Sequence, residues 1–299
     1  MITHPIVSFE DTDIAFAYKS TADLRKANLL FSLVNHPLIS YLARNFVTFA
    51  LKARLPIEGI IKKTAFDHFC GGESIEESQA AIQALARYNV GAILDYSVEG
   101  EKSEHGFELT MQEILRTLEK ARQSPAEIPF CVFKVTGLAS AEVLQKINDK
   151  EPLSAEESAA FDRIRGRVTK ICERAQAYGV PILIDAEDTW IQDPIDQLAD
   201  EMMARFNLEK AIVYNTYQMY RTTAMDNLIH DYYDAMNGNY FLGAKLVRGA
   251  YMEKERARAE ELNYPSPIHP DKEATDKAFN DALVFCVDHI ARINVMCGS

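Results

Sequence analysis

The stretch GAKLVRGAYMEKE, from Gly243 to Glu255, has the apolar character of a buried strand, yet it carries Lys245 and Arg248. A cation inside a strand is costly unless something faces it. Spaced three apart, the two cannot share one face of an ideal strand, so one points to the strand mouth and the other stands at its end. Gly249-Ala250 then offers small residues where a ligand can come close to the backbone. Two cations beside such a turn suit a phosphate or an electron-rich ring. The plainer alternative is a salt bridge to a neighbouring strand. Polar residues end other apolar runs in the same way: Asp95 in GAILDYS, Lys134 in PFCVFKVTG, Asp185 in VPILIDAED and Gln218 in AIVYNTYQ. Lys134 reads either as a fixed cation for a substrate carboxylate or as a lysine snorkelling out of a strand. Asp185 follows three apolar residues and needs a partner. It can instead cap the next helix, although Glu187 and Asp188 could also do that. Asp95 reads as a cap or structural partner, and Tyr251 alone reads as packing. The run EKERARAEE reads as a solvated helix face with i,i+4 ion pairs. Taken together, several cations and a carboxylate suit an anionic or zwitterionic substrate and a phosphate-bearing cofactor.

Positioning such groups takes a particular scaffold. Residues 1–90 read as helical, with Pro37 near one helix start and Gly71-Gly72 as a stop. From Gly91 the pattern changes to six short apolar runs separated by helical segments, the last run being INVMCGS. Ser154 to Tyr178 is the clearest helix, with Phe161, Ile164, Val168, Ile171, Ala175 and Tyr178 at steps of three and four and Gly179 as its C-cap. Apolar runs alternating with helices predict parallel strands covered by helices. A (β/α)8 barrel and an open doubly wound sheet both fit, but no run is followed by GxGxxG or a P-loop. Polar strand ends converge at the mouth of a barrel. The reading is therefore an α/β chain: residues 1–90 helical, and residues 91–299 a (β/α)8 barrel that is truncated after its sixth strand.

Composition narrows the function. The 299 residues are 47% hydrophobic and 25% charged, with a net charge of −12, so most of the surface repels nucleic acid. The five cysteines include no CxxC pair and read as reduced, mostly buried thiols. No HxxxH pair suggests a metal, and none is expected. No signal peptide or membrane-spanning run is legible.

The order of these motifs carries a resemblance. GAILDYSVEG, FKVTGL, LIDAEDTW, YNTYQMY and GAKLVRGAYMEKERARAEELNYPSPIHPDKEATDKAFNDAL resemble, in that order, the segments of proline dehydrogenase of the monofunctional type. The resemblance covers residues 90–299, with a looser match before them. It implies a distorted (β/α)8 barrel with FAD across its mouth, and oxidation of L-proline to Δ1-pyrroline-5-carboxylate. It implies FAD contacts from Gln218, Lys245, Val247, Arg248, Gly249, Ala250 and Thr275. Lys134 would pair with the proline carboxylate, Asp185 would support the pocket and the flavin, and Tyr251 would wall it. Met252 stands where other relatives carry tryptophan. A quinone electron acceptor, and peripheral contact with a bacterial inner membrane or a mitochondrial location, are implied in the same way. The family's closing helix, with its Arg-Arg clamp on the proline carboxylate, has no counterpart in this sequence. Hydroxyproline oxidation and a non-catalytic barrel acting as a binding module are the alternative readings.

Overall fold

The structure is a computed structural model that describes residues 10–53, 55–57, 59, 62–66, 70–96 and 103–298. The end of GAILDYSVEG, residues 97–100, lies outside them. The chain divides into two compact units, Met1–Ala92 and Ile93–Ser299.

The first unit is helical, and its main helices start where side chains can satisfy their free N–H groups. Ser20 caps helix Thr21–Val34 through a capping box with Asp23. Pro37 opens helix Pro37–Lys52, at a position where its missing N–H costs nothing. Ser74 caps helix Ile75–Ala86.

Among the described residues, the second unit carries six strands: β1 (Ile93–Asp95), β2 (Phe130–Phe133), β3 (Ile182–Ile184), β4 (Val213–Gln218), β5 (Leu242–Val247) and β6 (Ile293–Cys297). All pair in parallel, in the order β1-β2-β3-β4-β5-β6. That order has no reversal point, so the doubly wound alternative falls and the sheet is that of a (β/α) barrel. Each connection is helical, as the alternation predicted. Helix Ala155–Tyr178 begins at a Ser154 capping box and ends at Gly179 with φ 65°. Its Ile164, Val168, Ile171 and Ala175 are buried, whereas Phe161 and Tyr178 are only half-buried, with arginines over their rings. Helix Ala141–Asn148, between β2 and β3, is an addition to the expected elements. At two turns it is too short to show a clear periodicity.

The sheet is closely packed between β4 and β5. A Cβ on Gly243 would lie 2.2 Å from the Val213 carbonyl oxygen, so only glycine fits there. Buried Asn207 donates to the Val213 and Phe241 carbonyls and accepts from the Ile212 and Val213 N–H groups, which fixes the entry of β4. Beneath β4, Tyr217 donates to Asp231 at 2.7 Å. Burial, with Asp231 and Asp196 nearby, pushes the Asp200 carboxyl up to about 8. Of the five cysteines, Cys131, Cys172 and Cys286 are buried while Cys70 and Cys297 are exposed.

Candidate functional site

The carboxyl ends of β2, β3 and β5 meet at Asp185. Its Oδ2 accepts from Lys134 Nζ at 3.0 Å, and its Oδ1 accepts from Lys245 Nζ at 2.6 Å. All three side chains are only 16–19% exposed. Neither lysine snorkels free, and Asp185 caps no helix. Helix Thr189–Phe206 has Asp188 at its N-cap, whose side chain makes no capping bond and instead pairs with Lys254 at 2.6 Å. Burial on its own would lower the pKa of Lys134, but the charge of Asp185 and its hydrogen bond overcome this, helped by Tyr251 and Asp95, and lift it to about 12. Lys134 is therefore a fixed cation at neutral pH. With one N–H on Asp185, its ammonium keeps further donors for a ligand.

Lys245 and Arg248 diverge, as their spacing requires. Lys245 faces Asp185. The Arg248 guanidinium pairs with Asp276 and lies 4.7 Å over the Phe279 ring, both on helix Lys272–Asp288. Gln218, at the end of β4, links the two neighbouring strands. Its Nε2 donates to the Glu187 carbonyl at 2.7 Å, and its Oε1 accepts from the Ala250 N–H at 3.1 Å. Gly249 has φ 135°, and a Cβ there would stand 2.5 Å from the Tyr220 ring. The backbone thus turns tightly beneath a cleft of about 650 Å³ lined by Arg248, Gly249, Ala250, Tyr251, Arg256, His269 and Thr275, among others. Tyr251 is half-buried. Burial raises its hydroxyl pKa more than Lys134 lowers it, so the phenol stays neutral. Thr275 donates its hydroxyl to the Asp271 carbonyl at 3.1 Å. Val247 serves through its backbone, its carbonyl accepting from the Met219 N–H at 2.7 Å. Thus Lys134, Asp185 and Lys245 form one cluster, with Tyr251 in the field of Lys134. Arg248, Gly249, Ala250 and Thr275 face the adjoining cleft, and Gln218 ties that loop to β4.

Two carboxylates take roles other than those the sequence suggests, which for Glu187 is a candidate helix cap. Glu187 is 6% exposed and accepts from the Thr136 N–H at 3.0 Å and from the Thr136 hydroxyl. Burial raises its pKa, against those hydrogen bonds. Its signal was its spacing of two from Asp185, which places both on one face of an extended segment. Glu255 corrects the reading of EKERARAEE as a solvated face. It is fully buried and accepts from the Thr189 N–H at 2.7 Å and the Thr189 hydroxyl at 2.6 Å, capping that helix from helix Met252–Leu262. Glu255 and Ala259, four apart, form the inward stripe of that helix.

A parallel β/α barrel whose strand ends gather two ammonium groups around one carboxylate, beside an open cleft, belongs to the class of barrel proteins that carry their chemistry at the mouth. The profile of the proline dehydrogenase family matches residues 78–299, and the chain belongs to that family. It is 30% identical over 322 residues to proline dehydrogenase 1, mitochondrial, of Dictyostelium discoideum, covering 94% of this chain and 56% of that protein. It is 34% identical over 225 residues to the carbapenem antibiotics biosynthesis protein CarD of Pectobacterium carotovorum, covering 75% of this chain and 58% of the other. The chain thus spans a little over half the length of these relatives. Among solved structures, proline utilization A from Bdellovibrio bacteriovorus, inactivated by N-propargylglycine, shares the fold. The TM-score is 0.70 at 16% identity, over 99% of this chain and 32% of that one.

Proposed function

We propose that this chain carries the flavin-dependent oxidation of L-proline to Δ1-pyrroline-5-carboxylate. The observation that carries the proposal is the Lys134–Asp185–Lys245 bridge at the strand ends, 3.0 and 2.6 Å long, beside the Gly249-Ala250 turn. FAD suits these residues. The turn brings bare backbone to the cleft, and Arg248, Lys254, Arg256 and Lys272 outnumber Glu253 and Asp271 in its lining, within an acidic chain. Gln218, Lys245, Val247, Arg248, Gly249, Ala250 and Thr275 would hold it. The chemistry FAD supplies when bound is acceptance of the hydride leaving the proline ring carbon next to nitrogen.

The rest follows from the chain's own side chains. Lys134, fixed as a cation, binds the proline carboxylate with its remaining N–H donors and cannot serve as a base at neutral pH. Asp185 holds Lys134 and Lys245 in one orientation, so neither ammonium has to be ordered when the substrate arrives. With FAD bound, Lys245 would supply fixed positive charge to the acceptor side of the site, which gains negative charge on taking the hydride. Tyr251, kept neutral, walls the pocket and offers a hydroxyl. The electron acceptor in this reading is a quinone, reached by peripheral contact with a bacterial inner membrane or, in a eukaryote, within the mitochondrion.

The test is a visible absorption spectrum of the purified chain with FAD, repeated anaerobically after L-proline is added. A flavin band that bleaches with L-proline supports the proposal. A folded chain that takes up no flavin, or a flavin that L-proline leaves oxidised, overturns it for this chain. Parallel addition of hydroxyproline tests the substrate.

A further inference from the structure

Glu187 sits among the site residues without facing the cleft. Both of its carboxylate oxygens are used on one residue: Oε1 accepts the Thr136 N–H at 3.0 Å and Oε2 accepts the Thr136 hydroxyl. Thr136 lies two residues beyond Lys134, in the short 3-10 turn Val135–Gly137 that follows β2. The backbone of Glu187 is engaged as well. Its N–H donates to Gln192 Oε1 at 2.7 Å, and its carbonyl accepts from Gln218 Nε2 at 2.7 Å. Gln218 passes the connection on to the Ala250 N–H at 3.1 Å. One residue therefore laces the ends of β2, β3 and β4 together, and through Gln218 reaches the loop after β5.

The polarity of that lacing is determined. A backbone carbonyl can only accept and a backbone N–H can only donate, so the Gln218 amide has one workable orientation. Glu187 precedes the N-cap Asp188, but its side chain turns to Thr136 and away from helix Thr189–Phe206, so it is not a helix cap. Burying a carboxylate is unfavourable unless its hydrogen bonds are made, and charge-assisted bonds to an N–H and a hydroxyl meet that need.

We propose, resting on the dehydrogenase reading above, that Glu187 is a positioning residue. It holds the turn after Lys134 against the segment carrying Asp185, and so fixes where the Lys134 ammonium waits for the substrate carboxylate. It touches neither substrate nor cofactor. Its effect is on substrate binding, through Lys134.

The experiment compares the whole FAD-supplemented chain with E187A, E187Q and T136V, and with the surface variant E201A as control. Glutamine can still accept the Thr136 N–H with its oxygen and donate to the Thr136 hydroxyl. Amide exchange is read by mass spectrometry on peptides that contain residue 136, and steady-state kinetics are run with L-proline. In E187A, exchange at Thr136 accelerates about tenfold or more, and the KM for L-proline rises about tenfold with kcat changed less than about threefold. E187Q and E201A stay within about threefold of the parent in both measurements. T136V, which loses only the hydroxyl bond, falls between the parent and E187A. It also keeps the test decisive if E187A does not fold.

Parental exchange and KM in E187A overturn the proposal. So does an E187Q variant as impaired as E187A, because charge and not the strap would then be what matters. Parental values in T136V, should E187A not fold, overturn it as well. If the parent chain binds no flavin or does not oxidise L-proline, the dehydrogenase reading fails on its own. The exchange comparison still decides whether Glu187 holds the turn.

Discussion

Asp185→Asn removes one negative charge from between two ammonium groups and leaves the shape of the side chain almost unchanged. The structure sets the size of the effect. Lys134 titrates at about 12, against an ordinary lysine value near 10.4. That rise corresponds to about 2 kcal/mol in favour of the charged form. It is a net figure, since burial has already acted in the opposite direction, and losing Asp185 leaves that desolvation uncompensated. Breaking a fully buried pair costs about 3–5 kcal/mol. These side chains keep 16–19% exposure, so the lower end, about 3 kcal/mol, is expected. For a unit of this size the melting temperature falls by roughly 6–12 °C. The assay is thermal denaturation followed by circular dichroism from pH 7 to 11. A lysine whose pKa is raised by folding contributes stability that is complete below about 10.4 and is lost as pH climbs through the folded-state value. The gap between parent and variant is therefore constant from pH 7 to 9 and narrows above about pH 10.5. The double variant D185N/K245M, with one of the two stranded cations removed, recovers part of the loss. A variant melting within about 2 °C of the parent at pH 7, or a gap unchanged at pH 11, refutes the charge-bridge reasoning.

Two further outcomes rest on other parts of the molecule. The Asp200 carboxyl is raised by burial to about 8 and its Oδ1 has no hydrogen-bond partner. Its neutral form favours the fold fully below the unfolded value of about 3.9, and this contribution is lost as pH rises through the folded value. D200N removes that loss, so its advantage in melting temperature over the parent should grow between pH 5 and 8, and an advantage independent of pH contradicts the assignment. Gly249→Ala forces a side chain into φ 135° and against the Tyr220 ring at 2.5 Å. Tyr220 cannot swing aside freely, because its backbone is held by the Arg248 carbonyl and the His269 N–H, both at 2.7 Å, and its ring is buried. A destabilisation of about 2–4 kcal/mol and weakened FAD binding are expected by denaturant titration and flavin fluorescence. G249A/Y220A should recover only the steric share.

The sequence alone carried the alternation of strand and helix, the capped helix Ala155–Tyr178 and the polar residues at the ends of five of the apolar runs, because these depend on repeats of 2 and 3.6 residues and on local capping. It also carried the motif order that resembles proline dehydrogenase. Which polar groups meet was not legible. Asp185 takes its two lysines from 51 and 60 residues away. Glu255 finds Thr189 66 residues off, inside a run that reads as solvated. Glu187 reads as a helix cap and Glu255 as a surface glutamate until the packed elements bring Thr136 and Thr189 within reach. The divergence of Lys245 and Arg248 was a spacing that the sequence determined. The direction each one takes, to Asp185 or to Asp276, was decided by the tertiary structure, since a charge's partner is set by which strands and helices pack beside it.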